Sequence, residues 1–328
     1  MTIRNLPIGI GRLIIFCVTV IIAVSVQAQQ FPTKAVRIIA PFPAGGATDI
    51  NVRRLAERLN KLWGQPVIVD NSAGGAGISA AVTVAKSKPD GYTLFFITHP
   101  IVSINPLLYD KLPYDADKDF SPVVEVTETP SVLLVSPALQ VASVAELISV
   151  AKAKPGALSF GSGGVGTTLH LSGELFKAAA GIDIVHVPYK GGAAALTALM
   201  SNEIQLSFDS APSALRQMQG GRVRGLAAAS VNRLQAAPML PTFVESGLNG
   251  VVSSLGNGIV VPVGTPSGIV ASINNAVNSV LKNGEYRKQM IDDGVQVMGG
   301  SPEQFAQFLT NERKKWQVLI QKLGIKAQ

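Results

Sequence analysis

The sequence predicts an α/β protein of two lobes, each a mostly parallel sheet flanked by helices. Short apolar runs closed by turn residues alternate with stretches of helical spacing, and this alternation occurs as two successive series. The composition agrees: 47% of residues are hydrophobic and 15% charged among 328, which suits a globular chain with ordinary cores and neither disorder nor a coiled coil.

The first series opens with VRIIA (36–40), an apolar run that stops at Pro41. After the turn PFPAGGATD, Leu55, Leu59 and Leu62 recur at helical spacing and Gly64 ends the helix. PVIVD (66–70), a glycine-rich turn at 74–77, an alanine-rich helix to Lys86, the turn Pro89-Asp90-Gly91 and the strand YTLFFI (92–97) follow. The second series has strands at SVLLV (131–135), LSF (158–160), IVHVP (184–188), QLSFD (205–209) and GLAAAS (225–230). Its helices fall at 143–153, Thr167–Ala180, 192–201 and 211–219. A tail with the strand GIVVPV (258–263) and helices near 267–282, 285–293 and 302–322 completes the chain. The expected division is 31–135 plus 255–328 for lobe 1 and 136–254 for lobe 2.

Residues 1–28 read as a signal peptide: Arg4 and Arg12 form a positive n-region, Leu13 to Val26 is apolar, and Val26-Gln27-Ala28 supplies small residues for cleavage. The apolar run spans about 14 residues, short of the roughly 20 needed to cross a bilayer. Cleavage after Ala28 would remove Arg4 and Arg12, so the net charge would fall from +7 to +5, and would remove Cys17, the sole cysteine. Export without disulfides points to the bacterial periplasm. The positive surplus is spread along the chain, which argues against a nucleic-acid partner. One cysteine excludes a Cys-based metal site, three separated histidines leave little for a zinc site, and no metal or cofactor is expected.

No G-x-S-x-G, P-loop or H-E-x-x-H motif occurs, so no catalytic residue is assigned. Gly161-Ser162-Gly163-Gly164-Val165-Gly166 satisfies G-x-G-x-x-G, and Asp183 follows the last glycine by 183 − 166 = 17 residues. Asp183 nevertheless precedes its strand, whereas a ribose-binding acid belongs at the carboxyl end. Glycine turns that open helices also favour a carboxylate or phosphate through unpaired N–H groups and the helix dipole. Two such turns, Pro43–Asp49 and Ser162–Thr168, fall in different series, so each lobe has one to offer a shared anion. The alternative is that the glycines make tight turns and that Thr48, Thr167 and Thr168 cap helices. His170 and His186 read as packing residues. His99 ends a strand where α/β ligands sit, as does Asp209, and each is either packed or a ligand contact. Asp49 reads as ordering its own loop.

The segments PTKAVRIIAPFPAGGATDI (32–50), VDNSAGGAG (69–77), SKPDGYTL (87–94), INPLLYDKLPYDADKDFSPV (104–123), SFGSGGVGTTLHLSGELF (159–176), HVPYKGGAAALTALM (186–200) and PTFVESGLNG (241–250) resemble one family, the tripartite tricarboxylate transporter substrate-binding proteins or Bug-type periplasmic receptors. The resemblance runs in order through nearly all of residues 29–328. It implies a Venus-flytrap, periplasmic-binding-protein fold closing on a small mono- or dicarboxylate, which membrane permease subunits then receive. It also implies ligand contacts at Phe42, Ala44, Gly45, Gly46, Thr48, Asp49, Gly77, Thr98, His99, Ser162, Gly163, Gly166, Thr167, Thr168, Tyr189 and Asp209. Two positions depart from the common pattern: Ile78 stands where many members are polar, and Leu255-Gly256-Asn257-Gly258 where many carry an aromatic pair. The alternatives are an extracytoplasmic sensor subunit docking on a receptor kinase and a nucleotide-dependent enzyme.

Overall fold

The computed structural model describes residues 31–45 and 47–326; the expected signal peptide and Gly46 lie outside the described residues. In chain order the first lobe builds β1 (Val36–Ala40), α1 (Ala47–Trp63), β2 (Val67–Asn71), α2 (Ile78–Ala85), β3 (Thr93–Thr98) and two short helices, α3 (His99–Ser103) and α4 (Asn105–Leu108). The long strand β4 (Phe120–Val135) leads into α5 (Val144–Ala153), β5 (Ser159–Ser162), α6 (Thr168–Ala180), β6 (Val185–Pro188), α7 (Gly192–Met200), β7 (Leu206–Ser210), α8 (Ala211–Gln219) and β8 (Arg224–Ala228). The chain returns through β9 (Ser254–Pro262), α9 (Ser267–Lys282), α10 (Gly284–Asp292), β10 (Gln296–Val297) and α11 (Pro302–Leu323).

Strand alternation sets the layers. Val36, Ile38, Leu94 and Phe96 turn to the face covered by α1 and α9, through Leu55, Leu59, Ile273 and Val277. Ile39, Phe95 and Ile97 turn the other way, onto Ala81 and Val84 of α2 and Phe305 and Leu309 of α11. The second lobe repeats the plan. Leu133, Phe160 and Phe208 pack on α5 and α6, while Val132, Leu134 and Ala228 pack on α7 and α8. Helices therefore cover both faces of each sheet, as two-lobed α/β proteins require.

The pairing is less uniformly parallel than the sequence suggests. β1 is parallel to β2 and β3, and β5 to β6 and β7, but β9 and β4 enter antiparallel to their neighbours. The outermost strands are half-open: Ile68 of β2 and Val185 of β6 are exposed, as is Leu62 on α1. β4 is the physical join. Phe120 to Pro130 pairs with β9 of the first lobe, and Ser131 to Val135 with β7 and β8 of the second. The change of partner therefore lies at Pro130–Ser131, before the expected boundary at 135. Residue 253 returns beside it: Ser131 N donates to Ser253 O, Ser253 N to Ala229 O, and Ala229 N to Ser131 O.

Candidate functional site

A cavity of about 430 Å³ lies between the lobes. The first lobe supplies Phe42, Ala76, Thr98, Pro100, the α3–α4 segment at Ile104, Asn105, Leu108 and Tyr109, and Leu255. The second supplies Gly163, Val165 to Leu169, Gly191 and Gly192. No Lys, Arg, Asp or Glu appears among the described lining residues. Two helices point their N-termini at the cavity, α6 at Thr167–Leu169 and α7 at Gly191–Gly192. The first N–H groups of a helix have no intrahelical partner and carry the positive end of its dipole, so this wall suits an anion.

The loop of the first lobe is used differently. Asp49 is buried, and its carboxylate accepts from Gly45 N at 2.9 Å, Arg53 Nε at 2.9 Å and Asn71 Nδ2 at 2.8 Å. The Arg53 bond is the chief reason that its pKa is drawn down to about 2; burial works against it, and the Gly45 and Asn71 bonds assist. Gly45 N–H is thus bonded within its own loop, and Ala44 and Gly45 are exposed. Of this loop Phe42 reaches the cavity, whereas Ala44, Gly45, Thr48 and Asp49 are not among its lining residues. As expected from its position, Asp49 orders the loop.

The loop of the second lobe is built on a histidine pair. Ser162 Oγ and His186 Nε2 are 2.8 Å apart, Gly166 N donates to His170 Nδ1 at 3.0 Å, and the imidazoles stack with centroids 3.9 Å apart. Thr167 caps α6, accepting from His170 N and donating to Gly164 O. Ser162 is fully buried, so it holds the loop from beneath. Ser172, one turn into α6, meets Ser131 Oγ at 3.1 Å and Ser253 Oγ at 2.8 Å, tying the binding helix to the crossing between lobes.

Burial, followed by the mutual charge of the pair and by Lys177, lowers His170 from 6.5 to about 4; burial and Lys177 do the same for His186. Glu174 Oε1 stands 3.9 Å from His170 Nε2 on the same helix. As pH falls below 6.5 the unfolded chain takes up protons that the folded pair refuses. The stability associated with the pair is therefore complete above 6.5 and is lost toward pH 4. The loss is of order 2 kcal/mol, after discounting for solvent at the half-buried His186. A proton on His170 Nδ1 would also oppose the Gly166 N–H. Denaturant titrations at pH 7 and 4.5 should show a shallower acid loss in His170→Asn/His186→Gln than in the wild type; parallel losses would refute the assignment.

Of the candidate contacts, Thr98, Gly163, Gly166, Thr167 and Thr168 line the cavity alongside Phe42. Six more expected contacts, after Ala44, Gly45 and Thr48, are absent from its lining. Gly77 is buried against Ile101 and Pro41 at a positive φ of 85°, and Tyr189 OH donates to Glu203 Oε1 at 2.8 Å. Asp209 accepts from Ser210 N and faces the start of α7, where burial raises its pKa. His99 is buried beneath the cavity floor against Phe305, Phe308 and Gly256. Ser162 and Asp49 complete this set. Asp183 sits beside Gly156, at the amino end of β6, away from the cleft. Sequence reasoning missed Gly191 and Gly192, although the pair stands in YKGGAAA before a helix, and missed the apolar wall from α3 and α4. The glycines of the departing segment 255–258 make room: a Cβ at 256 would enter the His99 ring, and one at 258 the Phe305 ring.

A family model described as tripartite tricarboxylate transporter family receptor matches residues 51–325. The chain is 32% identical to protein BugT of Bordetella pertussis (strain Tohama I) over 96% of this chain and 97% of that one. Among solved structures it is similar to R. palustris Rpa4515 with adipate, at 36% identity and TM-score 0.78 over 90% of this chain and 99% of that one. It is also similar to MatC (Rpa3494) from Rhodopseudomonas palustris with bound malate, at 31% identity and TM-score 0.73 over 88% and 100%.

Proposed function

Because the chain belongs to the tripartite tricarboxylate transporter receptors, which are periplasmic solute-binding proteins, we propose that it captures a small organic carboxylate between its lobes and passes it to the membrane subunits of such a transporter. The observation that carries this reading is the make-up of the cleft: two helix N-termini converge on a cavity whose described lining has no ionised side chain. Helix-end N–H groups and the hydroxyls of Thr98 and Tyr109 suit a carboxylate, and Phe42, Leu108, Val165, Leu169 and Leu255 suit a carbon skeleton. The adipate and malate held by similar structures fit the same chemistry. Nothing in this arrangement calls for turnover, so ligand should leave as it entered. Residues 1–28 direct export in this reading, with cleavage after Ala28.

A panel of mono- and dicarboxylates tests it by thermal shift and calorimetry. A binder at a hundredfold excess over Kd should add about 2.7 kcal/mol to stability. Lys190, exposed and outside the lining, should be replaceable by alanine with less than a twofold change in Kd. A panel that moves no melting temperature, together with no small acid released from denatured protein, would refute carboxylate capture. Uptake restored to a receptor-deficient strain that retains the transporter's membrane subunits would test delivery.

A further inference from the structure

His99, Glu125 and Glu128 converge beneath the cleft floor, with one ligand-type atom from each lying within 4.8 Å of the others. His99 opens α3, and Glu125 and Glu128 stand on β4 opposite Gly258 and Gly256 of β9. The missing Cβ at 256 leaves the space that the imidazole enters. The His99 side chain is 2% exposed and that of Glu125 8%, and His99 Nε2 lies 3.6 Å from Glu125 Oε1. Both ring nitrogens and that oxygen lack a hydrogen-bond partner among the described residues. Buried polar atoms seldom remain so, because each forfeits its water without compensation.

The charges around the cluster sharpen the point. Glu312 is matched by Lys315 and accepts from Trp316 Nε1, so it is already satisfied. Lys315 also donates to Val252 O at 3.2 Å. Glu128 accepts from Ser254 Oγ at 3.1 Å, a neutral donor. Two carboxylates and an imidazole thus share one site, and the cation whose charge His99 and Glu128 feel, Lys315, is bonded to Glu312 and Val252 O rather than to any of the three. A dication satisfies all three together. Ligand distances of about 2.0–2.2 Å place tetrahedral partners about 3.4 Å apart, near the separation of His99 Nε2 and Glu125 Oε1.

We propose that His99, Glu125 and Glu128 form a binding site for one divalent transition-metal ion of the zinc class. Imidazole with two carboxylates is a nitrogen–oxygen set that zinc accepts. The ion would pin α3, whose Pro100 lines the cleft, to the strand that continues into the second lobe. This site stands apart from the carboxylate-binding reading and is tested without a carboxylate.

Full-length mature protein, stripped with chelator and dialysed, is titrated with ZnCl2 by calorimetry. Bound metal is counted by elemental analysis, and the melting temperature is followed with and without Zn²⁺. One equivalent should bind and raise the melting temperature. His99→Gln and Glu125→Gln, confirmed folded by circular dichroism, should each weaken Zn²⁺ binding at least tenfold, and Glu128→Gln should weaken it to a lesser degree. Wild-type protein that takes up no Zn²⁺ overturns the proposal. Binding of equal strength in the wild type and in the folded variants overturns it too, because the ion would then sit elsewhere.

Discussion

Gly166→Ala should weaken ligand binding roughly tenfold or more while leaving the fold intact. Gly166 has φ of 78°, in the left-handed region, where a Cβ costs about 1–2 kcal/mol. The added methyl also has a specific neighbour: a Cβ there would lie 2.9 Å from Leu108 Cδ1, which belongs to the opposite lobe. The collision is therefore felt when the lobes meet, and the substitution should oppose closure more than folding. About 1.4 kcal/mol is tenfold in Kd, so strain and collision together readily reach that size. Leu108→Ala separates the two terms. It should relieve the collision but not the strain, and the double variant should bind tighter than the sum of the single losses by about 1 kcal/mol. Additivity within about 0.3 kcal/mol, measured by calorimetry, would show that this contact plays no part in closure.

Gly163 teaches a different lesson about the same loop. No positive φ occurs there; instead a Cβ would stand 3.0 Å from Gly192 N and 3.3 Å from Gly191 C. Its smallness lets β5 approach the start of α7, bringing the two helix N-termini together. Two glycines in one motif thus serve separate ends, steric approach within a lobe and contact between lobes. The motif G-x-G-x-x-G could not distinguish them, because both depend on residues distant in sequence.

What was legible in the sequence follows the range of the forces involved. Helices such as α1 and α6 announce themselves through local spacing and their stops at Gly64 and Gly181. The first half of β4 did not, because Pro122, Glu125, Glu128 and Pro130 interrupt its apolar pattern; the strand is held by β9, more than a hundred residues later. The α3–α4 wall was hidden by Pro100 and Pro106, which look like breakers but occupy first-turn positions where proline is tolerated. In the site, the glycine turn of the second lobe was readable, since loop and helix are contiguous. That Gly45 N–H is bonded by Asp49, that Asp209 and Tyr189 do not line the cavity, and that His99 meets Glu125 and Glu128 are tertiary facts. Three separated histidines say little about metal affinity when carboxylates arrive from another strand.

Trp316→Ala should be the most destabilising single change considered. Trp316 is 1% exposed and packs with Leu319 and Ile320 of α11, Ile104 and Leu108 of the cleft wall, and Leu171 of α6 in the second lobe. Its indole N–H donates to Glu312 Oε2 at 3.0 Å, and Lys315 Nζ lies 4.5 Å from the ring centroid. Truncation of a buried Trp to Ala costs about 3–5 kcal/mol through lost transfer energy and the cavity left behind. Glu312 would lose one of its partners in addition. Because residues from both lobes meet on this ring, the cavity opens where α11 supports the α3–α4 wall against α6. Ligand affinity should therefore fall along with stability, although Trp316 is not among the residues lining the cleft. Trp316→Phe keeps most of the packing and gives up the N–H, so it should lose about 1–2 kcal/mol and little affinity. Denaturant unfolding and calorimetry on the two variants decide the matter. If Trp316→Ala loses stability but binds as tightly as the wild type, the cluster supports the fold alone and the wall does not depend on it.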